Sequence, residues 1–124
     1  MFSHIMIGST DTERSKKFYD ATLGKLGVKA GEQDPKGRVI YANDGGRLML
    51  SKPINGAEAT GANGGTIGFK AGSTDEVDAW HKAGVENGGT ACEDPPGLRP
   101  GGSLYLAYLR DPDGNKLCAL HRMS

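Results

Sequence analysis

The length, composition and charge of the chain restrict the classes of protein to which it can belong. Its 124 residues are enough for a single domain with a hydrophobic core of its own. The 15 Lys and Arg residues balance 15 Asp and Glu residues, and no basic run is interleaved with aromatic residues, so we expect no nucleic-acid or membrane partner. No apolar stretch approaches the roughly 20 residues that cross a bilayer.

The first half of the chain predicts a strand, a helix and three further strands. The residues FSHIMIGS alternate as a strand does, and Thr10 and Glu13 after them have the spacing of a helix capping box. Apolar residues from Phe18 to Leu26 recur at helical spacing. The further strands are expected at about Val28–Gly31, Arg38–Asn43 and Arg47–Ser51. The residues NDGG between the last two predict a hairpin turn.

The second half repeats this order of elements. A glycine-rich linker over residues 53–64 separates module 1, about residues 1–52, from module 2, about residues 65–124. Module 2 predicts a strand at TIGFKA and a helix that begins with a second capping box, Ser73 and Glu76. A short strand at TACE follows, and then two long strands, GSLYLAYLR and NKLCALH, joined by the turn DPDG.

The two modules also match in their letters. GSTD occurs at Gly8–Asp11 and again at Gly72–Asp75, and YANDGGRLML matches YLRDPDGNKLCAL. We therefore predict a single α+β domain in which two βαβββ modules form curved half-sheets around one barrel-like cup, in preference to a sandwich without internal symmetry. The match places Tyr41 and Tyr108 at equivalent positions, which predicts that both face the same way in their modules.

The sequence resembles the vicinal oxygen chelate superfamily, which includes glyoxalase I, extradiol dioxygenases and bleomycin- or fosfomycin-resistance proteins. The resemblance rests on HIMIGSTDTERSKKFYDATLGKLG at the start, GGTIGFKAGSTDEVDAWHKAG in the middle and PPGLRPGGSLYLAYLRDPDGNKLCALH at the end. It implies the glyoxalase/bleomycin-resistance fold and a homodimer. It leaves open whether the modules pair within one chain or between two chains.

The resemblance also implies a divalent metal, Zn, Ni, Mn or Fe, held by His or Gln on the first strand of a module and Glu on the last. The four corresponding positions here are His4, Met49, Thr66 and Cys118. Only His4 keeps a ligand type of the family, and the thioether of Met49 is a poor ligand for a hard cation. We therefore expect a vestigial metal site and no cofactor, with a metal held through other ligands as the alternative.

Two of these residues are the candidates for catalysis without a metal. His4 could act as a general base near neutral pH, and Cys118 could act as a nucleophile if a cationic neighbour lowered its pKa. The alternatives are a histidine without a role in a pocket and a buried, small apolar cysteine.

Further candidates would line the cup and bind a ligand. Arg99 lies in the loop PPGLRPGGS, where it could pair with a carboxylate or a phosphate. Tyr105 and Tyr108 lie on opposite faces of one strand, so only one of them faces the cup, and alternation does not say which. The candidate ligand-binding residues are Tyr41, Met49, Thr66, Arg99, Tyr105 and Tyr108.

These observations predict a glyoxalase/bleomycin-resistance-like protein that binds a small molecule in its cup without a metal. The alternatives are a glyoxalase-like lyase or isomerase, or a dioxygenase, acting on a small oxygenated substrate, and an enzyme that works without a metal. The identity of the ligand stays open. Because the chain has only two cysteines and starts without a signal-peptide pattern, we expect a cytoplasmic protein.

Overall fold

A computed structural model describes residues 1–123, in which the order strand, helix, strands occurs twice. The elements are β1 (Ile5–Gly8), α1 (Thr12–Gly24), β2 (Glu32–Gln33), β3 (Val39–Asn43), β4 (Gly46–Ser51), β5 (Ile67–Lys70), α2 (Thr74–Glu86), β6 (Thr90–Ala91), β7 (Gly97–Leu98), β8 (Leu104–Arg110) and β9 (Lys116–Arg122). This is the predicted α+β fold, and module 2 carries the additional short strand β7. Neither helix in the described part of the chain is long and apolar enough to cross a membrane.

Each module forms its own sheet. The first sheet has the strand order β1-β4-β3-β2, and the second has the order β5-β9-β8-β6 with β7 on β8. In both sheets the first strand of the module runs parallel to the last strand, and the other pairs are antiparallel. Met6 lies opposite Met49 in the first sheet, and Gly68 lies opposite Cys118 in the second. Met49 and Cys118 therefore occupy equivalent positions, as the repeat predicts.

The two sheets share one core with both helices. Alternate residues of the strands are buried against the helices, for example Leu48 and Leu50 of β4 and Leu117 and Ala119 of β9. We call this side of each sheet its inner face and the opposite side its outer face. The aromatic residues Phe18 of α1 and Trp80 of α2 are fully buried in the same core, as their helical spacing predicts.

The packing of the helices decides that the sheets do not close into a barrel within residues 1–123. Each sheet carries its helix on its inner face, so a barrel closed by both modules of one chain would hold the two helices apart on its outside. Instead α1 packs directly against α2 within the shared core. The inner faces therefore converge on the helices, and the outer faces do not enclose a common cup in the single chain.

Asp11, rather than the predicted Thr10, caps α1. The carboxylate of Asp11 accepts hydrogen bonds from the backbone N–H groups of Glu13 and Arg14 (both 3.1 Å). The hydroxyl of Thr10 instead accepts a hydrogen bond from the N–H of Ala59 in the linker (2.9 Å). The cap of α2 is the predicted residue, since the Ser73 hydroxyl accepts from the N–H of Glu76 (3.1 Å).

The strand predicted at Val28–Gly31 is wrong, because this segment bonds to α1 and not to a sheet. The N–H of its first residue donates to the carbonyl of Leu23 (3.0 Å), and the N–H of its last residue donates to Asp20 Oδ1 (2.9 Å). Pairing with β3 begins only at Glu32.

The turn DPDGN after β8, which we call the clamp turn (Asp111–Asn115), joins module 2 to module 1. The buried carboxylate of Asp111 accepts hydrogen bonds from the N–H groups of Asp113 and Asn115 (both 2.9 Å), which shape the turn. The Tyr19 hydroxyl of α1 also donates to this carboxylate (2.5 Å). Asn115 Nδ2 donates to the carbonyl of Gly8 at the end of β1 (3.2 Å).

Asp113 in the clamp turn makes a second set of bonds to module 1. Its Oδ1 accepts from the N–H of Thr10 (3.0 Å) and from the guanidinium of Arg14 (3.2 Å). Its Oδ2 accepts from the hydroxyl of Ser15 (3.1 Å), which is buried. The most family-specific motif of the sequence therefore holds the two modules together.

Candidate functional site

The outer face of the second sheet carries an aromatic ring beside two cationic groups. Tyr108 of β8 lies directly opposite Cys118 of β9. The guanidinium carbon of Arg99 lies 5.9 Å from the centroid of the Tyr108 ring, and Lys116 Nζ lies 5.1 Å from it. Both distances are within the range of a cation–π interaction.

The guanidinium of Arg99 is held in place by its own loop. Its Nη1 donates to the carbonyls of Pro95 (3.0 Å) and Gly97 (3.1 Å), and its Nη2 donates to the carbonyl of Asp94 (3.2 Å). These acceptors are neutral, so the positive charge of Arg99 stays available to a ligand. Lys116, in contrast, forms an ion pair with Glu93. The hydrogen bond that Lys116 donates to Glu93 within this pair raises the pKa of Lys116.

Cys118 has the properties of a buried apolar residue. Burial raises the pKa of its thiol, and this effect outweighs the opposing influence of the nearby Lys116. A buried thiol with a raised pKa forms a thiolate less readily, so this environment favours the buried-residue alternative for Cys118 over the thiolate nucleophile.

The four positions that the resemblance assigns to a metal are divided between the two modules, with two on the strands of the sheets and two directly before a strand. His4 precedes β1 and is exposed, with its Nδ1 2.8 Å from the Ser3 hydroxyl, and Met49 lies on the outer face of the first sheet. Thr66 precedes β5 and is exposed, and Cys118 lies on the outer face of the second sheet.

This donor set does not fit a hard divalent cation. One imidazole is accompanied by a thioether, a hydroxyl and a thiol, and none of the three is a hard oxygen ligand like the carboxylate that the resemblance implies. Among residues 1–123, no group of three or more His, Cys, Asp or Glu side chains is placed to hold a metal ion.

The structure identifies the tyrosine on the outer face. Tyr108 is the one, because Tyr105 lies opposite His121 on the inner face and its hydroxyl donates to Asp78 Oδ1 (2.7 Å). The buried Tyr41 also lies on the inner face, where its hydroxyl donates to Asp20 Oδ1 (2.7 Å).

The prediction that Tyr41 and Tyr108 face the same way is wrong. Tyr41 lies opposite the inward-facing Leu48, whereas Tyr108 lies opposite the outward-facing Cys118. The loop between β3 and β4 has two residues between its last paired residues, Asn43 and Gly46, while that between β8 and β9 has five residues, 111–115. The two loop lengths differ by an odd number of residues. Aligning the turns by their sequences therefore offsets the strands by one residue, and such an offset assigns each side chain to the wrong face of the sheet.

The outer face of the first sheet borders a groove of about 670 Å³ with a cationic rim. Met6 and Ile54 contribute apolar surface, and Lys36, Arg38 and Lys52 contribute positive charge. Arg38 is paired with Asp34 (2.6 Å). None of these residues was predicted from the sequence, because the basic ones are scattered between strand and loops. Lys116 was not predicted either, although its place two residues before Cys118 puts both on one face.

Known proteins share both this sequence pattern and this geometry. A sequence profile described as Glyoxalase/Bleomycin resistance protein/Dioxygenase superfamily matches residues 1–119. The crystal structure of a glyoxalase/bleomycin resistance protein from Albidiferax ferrireducens T118 is 57% identical, with a TM-score of 0.94 over 98% of this chain and 99% of that chain. No curated protein matches the sequence.

Two more distant structures share the fold. A glyoxalase-related enzyme from Fulvimarina pelagi is 21% identical, with a TM-score of 0.80 over 98% of this chain and 88% of that one. A lactoylglutathione lyase from Agrobacterium tumefaciens is also 21% identical, with a TM-score of 0.69 over 98% of this chain and 92% of that one. At this identity the likeness supports the architecture and not the activity.

Proposed function

Because the chain belongs to the Glyoxalase/Bleomycin resistance protein/Dioxygenase superfamily, we propose that it binds a small anionic organic molecule on the outer faces of its sheets, without a resident metal. The observation that carries this proposal is the Tyr108 ring beside Arg99 and Lys116, next to the position at which the family resemblance expects a glutamate ligand. The donor set at the metal positions, which does not fit a hard cation, supports the metal-free form of the proposal.

Each group in this site has a distinct part in binding. The ring of Tyr108 offers a flat surface for the apolar part of the ligand. Arg99 is oriented by three carbonyls before a ligand arrives, so pairing with a carboxylate requires little further ordering of the side chain. Leu106 and Cys118, which are buried and lie on the same face, add apolar surface beside the ring.

We further propose that a second copy of the chain provides the opposite wall of the cup. Within one chain the outer faces do not enclose a common space. The apolar side chain of Met6 on the first outer face is left 44% exposed, and Ile54 in the groove beside it is exposed as well. The native mass in solution, measured by light scattering after size-exclusion chromatography, should be twice the chain mass. A monomeric mass at micromolar concentration would contradict this part of the proposal.

The state of the cysteines supports a cytoplasmic location, which we also propose. Cys92 and Cys118 are both free thiols. Free thiols are typical of a reducing compartment. Fractionation of the source cells should recover the protein with the cytoplasm, and recovery from an oxidising compartment would contradict the proposal.

Binding of benzoate, with benzamide as its neutral counterpart, tests the proposed site. Tyr108→Ala should weaken benzoate binding at least about fivefold, because it removes both the ring and its cation–π contacts. Tyr105→Ala is the matched control, since it removes the same side chain from the inner face of the same strand. Equal effects of the two substitutions, or equal affinity for benzoate and benzamide, would contradict the proposal.

Metal analysis tests the metal-free part separately. Untagged protein dialysed against zinc, nickel, manganese or iron should retain no stoichiometric metal by mass spectrometry. About one equivalent that is lost in the His4→Ala variant would show that the outer face holds a metal through other ligands, and the lyase and dioxygenase alternatives would then lead.

A further inference from the structure

A second cavity, of about 320 Å³, lies at the junction between the modules. Its walls come from the end of α1 and the segment after it, from the β3–β4 hairpin and from β5. The apolar part of the wall includes Leu26, Val28, Leu48 and Phe69. Tyr108, Arg99 and Cys118 do not line it, so this cavity is separate from the site proposed above.

The rim of this cavity is cationic. Arg47 of β4 and Lys70 of β5, one from each module, also line the cavity. Strand alternation places both side chains on the outer faces of their sheets, away from the apolar wall that Leu48 and Phe69 form. Both side chains are exposed, and neither forms an ion pair or a side-chain hydrogen bond within residues 1–123. None of the residues that line the cavity in the described chain is acidic. No acidic side chain within residues 1–123 forms an ion pair with these two cations, although Asp44 lies in sequence between the lining residues Asn43 and Gly45.

The cavity lies beside a turn of module 1 whose contacts differ from those of the corresponding turn in module 2. The clamp turn of module 2 reaches module 1 and binds the end of β1 with buried side chains. In the corresponding NDGG turn, which we call the free turn (Asn43–Gly46), the only side-chain hydrogen bond within residues 1–123 is internal, from Gly45 N–H to Asn43 Oδ1 (2.7 Å). The free turn thus borders an open space instead of filling it.

We propose that this cavity binds a small amphipathic monocarboxylate. The apolar chain of the ligand lies under the end of α1 against Leu26 and Val28, and its carboxylate lies between Arg47 and Lys70. The volume is at the lower end of the range of about 300–1,000 Å³ for ligand pockets, which suits a molecule of about ten non-hydrogen atoms. A carboxylate is favoured over a neutral head group because two unpaired cations flank the opening.

Octanoate, used below its micelle concentration on the full-length protein, is the probe, and octanol is its neutral counterpart. In ¹H–¹⁵N NMR spectra we expect octanoate to shift the amide signals of Leu26, Val28 and Phe69. Shifts confined instead to Tyr108 and its neighbours would overturn the proposal, because the carboxylate would then occupy the first site. The absence of saturable binding at millimolar octanoate would overturn it as well.

Charge removal tests the head-group contact. The double variant Arg47→Gln, Lys70→Gln should weaken octanoate binding about tenfold and leave octanol binding unchanged. The matched control, Lys36→Gln with Lys52→Gln, removes the same charge from the groove on the first outer face and should leave octanoate affinity as it was. Equal losses in both double variants would overturn the proposal, since they would indicate a general charge effect.

Filling the cavity tests the apolar contact. Val28→Trp should abolish binding of both octanoate and octanol, because the larger side chain occupies the space. If this variant fails to fold, Ala42→Trp at the exposed rim serves the same purpose. Tyr108→Ala should leave octanoate binding intact. Undiminished octanoate binding in a folded cavity-filling variant, or its loss in Tyr108→Ala, would overturn the proposal.

Discussion

The two hairpin turns at matching places in the modules have opposite roles. The clamp turn of module 2 places a buried carboxylate, that of Asp111, against the hydroxyl of Tyr19 in module 1. The free turn of module 1 is largely exposed and borders the junction cavity. The repeated sequence therefore gives two modules of the same topology. The clamp turn binds the other module, whereas the free turn borders a cavity.

The outer faces of the two modules also differ, in the side chains around their equivalent positions. The equivalent positions Met49 and Cys118 both present small or flexible apolar groups, but their surroundings diverge. The first outer face has a groove with scattered basic residues, and the second has a tyrosine beside two cationic side chains. Residues at equivalent backbone positions in the two modules therefore have chemically different surroundings.

The largest effect on stability should come from the clamp turn. Asp111→Ala leaves the Tyr19 hydroxyl and two backbone N–H groups without their partner in a buried site, and we expect a loss of about 3 kcal/mol in the free energy of unfolding. Asp44→Ala in the free turn should change it by less than about 0.5 kcal/mol. Urea unfolding of both variants measures the difference. Similar losses would break the contrast between the turns.

A smaller loss is expected where the linker meets the clamp turn. A Cβ on Gly61 would overlap with the carbonyl of Gly114, so Gly61→Ala should force the backbone apart and lower the free energy of unfolding by about 2 kcal/mol. Gly65→Ala, directly after the linker and with ordinary contact distances, is the matched control. If both variants have the same midpoint of urea unfolding as the wild type, the linker does not support the clamp turn.

The Asp20 carboxylate in module 1 predicts a pH dependence of stability. Burial acts to raise its pKa, but hydrogen bonds from Lys16, the N–H of Gly31 and the Tyr41 hydroxyl together lower it. Because the pKa is lower in the folded state, this stabilisation is present above the unfolded pKa, about 3.9, and is lost as the pH falls below it.

Asp20→Asn imitates the protonated acid and reveals this dependence. Wild type should be more stable than the variant by about 1 kcal/mol from pH 7 down to pH 5, and the difference should shrink as the pH falls below about 4. Asp44→Asn, at an exposed residue of the free turn, should show a small difference at every pH. A difference between wild type and Asp20→Asn that grows towards acid pH would contradict a lowered pKa for Asp20 in the folded state.

The last prediction concerns the reaction rates of the two thiols and not the free energy of unfolding. Burial raises the pKa of Cys118, while Cys92 is only half-buried, so Cys118 should react with a disulfide reagent at least about tenfold more slowly than Cys92 at pH 7. The single variants Cys92→Ser and Cys118→Ser separate the two rates. Fast reaction of Cys118 at neutral pH would revive the nucleophile hypothesis for the second outer face.

The order of the elements, the two-module repeat and the equivalence of Met49 and Cys118 were all determined by the sequence itself. These features depend on local signals, such as side-chain alternation, helical spacing and turn residues, and on the comparison of one half of the chain with the other. The prediction of a vestigial metal site also rests on residue types alone, because a methionine and a threonine are poor metal ligands in any fold, and it stays a prediction.

Only the tertiary structure decided which residues meet. Loops whose lengths differ by an odd number set the strand register, so Tyr41 and Tyr108 face opposite ways although their neighbouring letters match. The packing of α1 on α2 directs both inner faces to one core and keeps the sheets from closing into a barrel within residues 1–123. The bonds of the clamp turn span about a hundred positions of the chain, so no local pattern predicts them, and the junction cavity is the space that this long-range packing leaves.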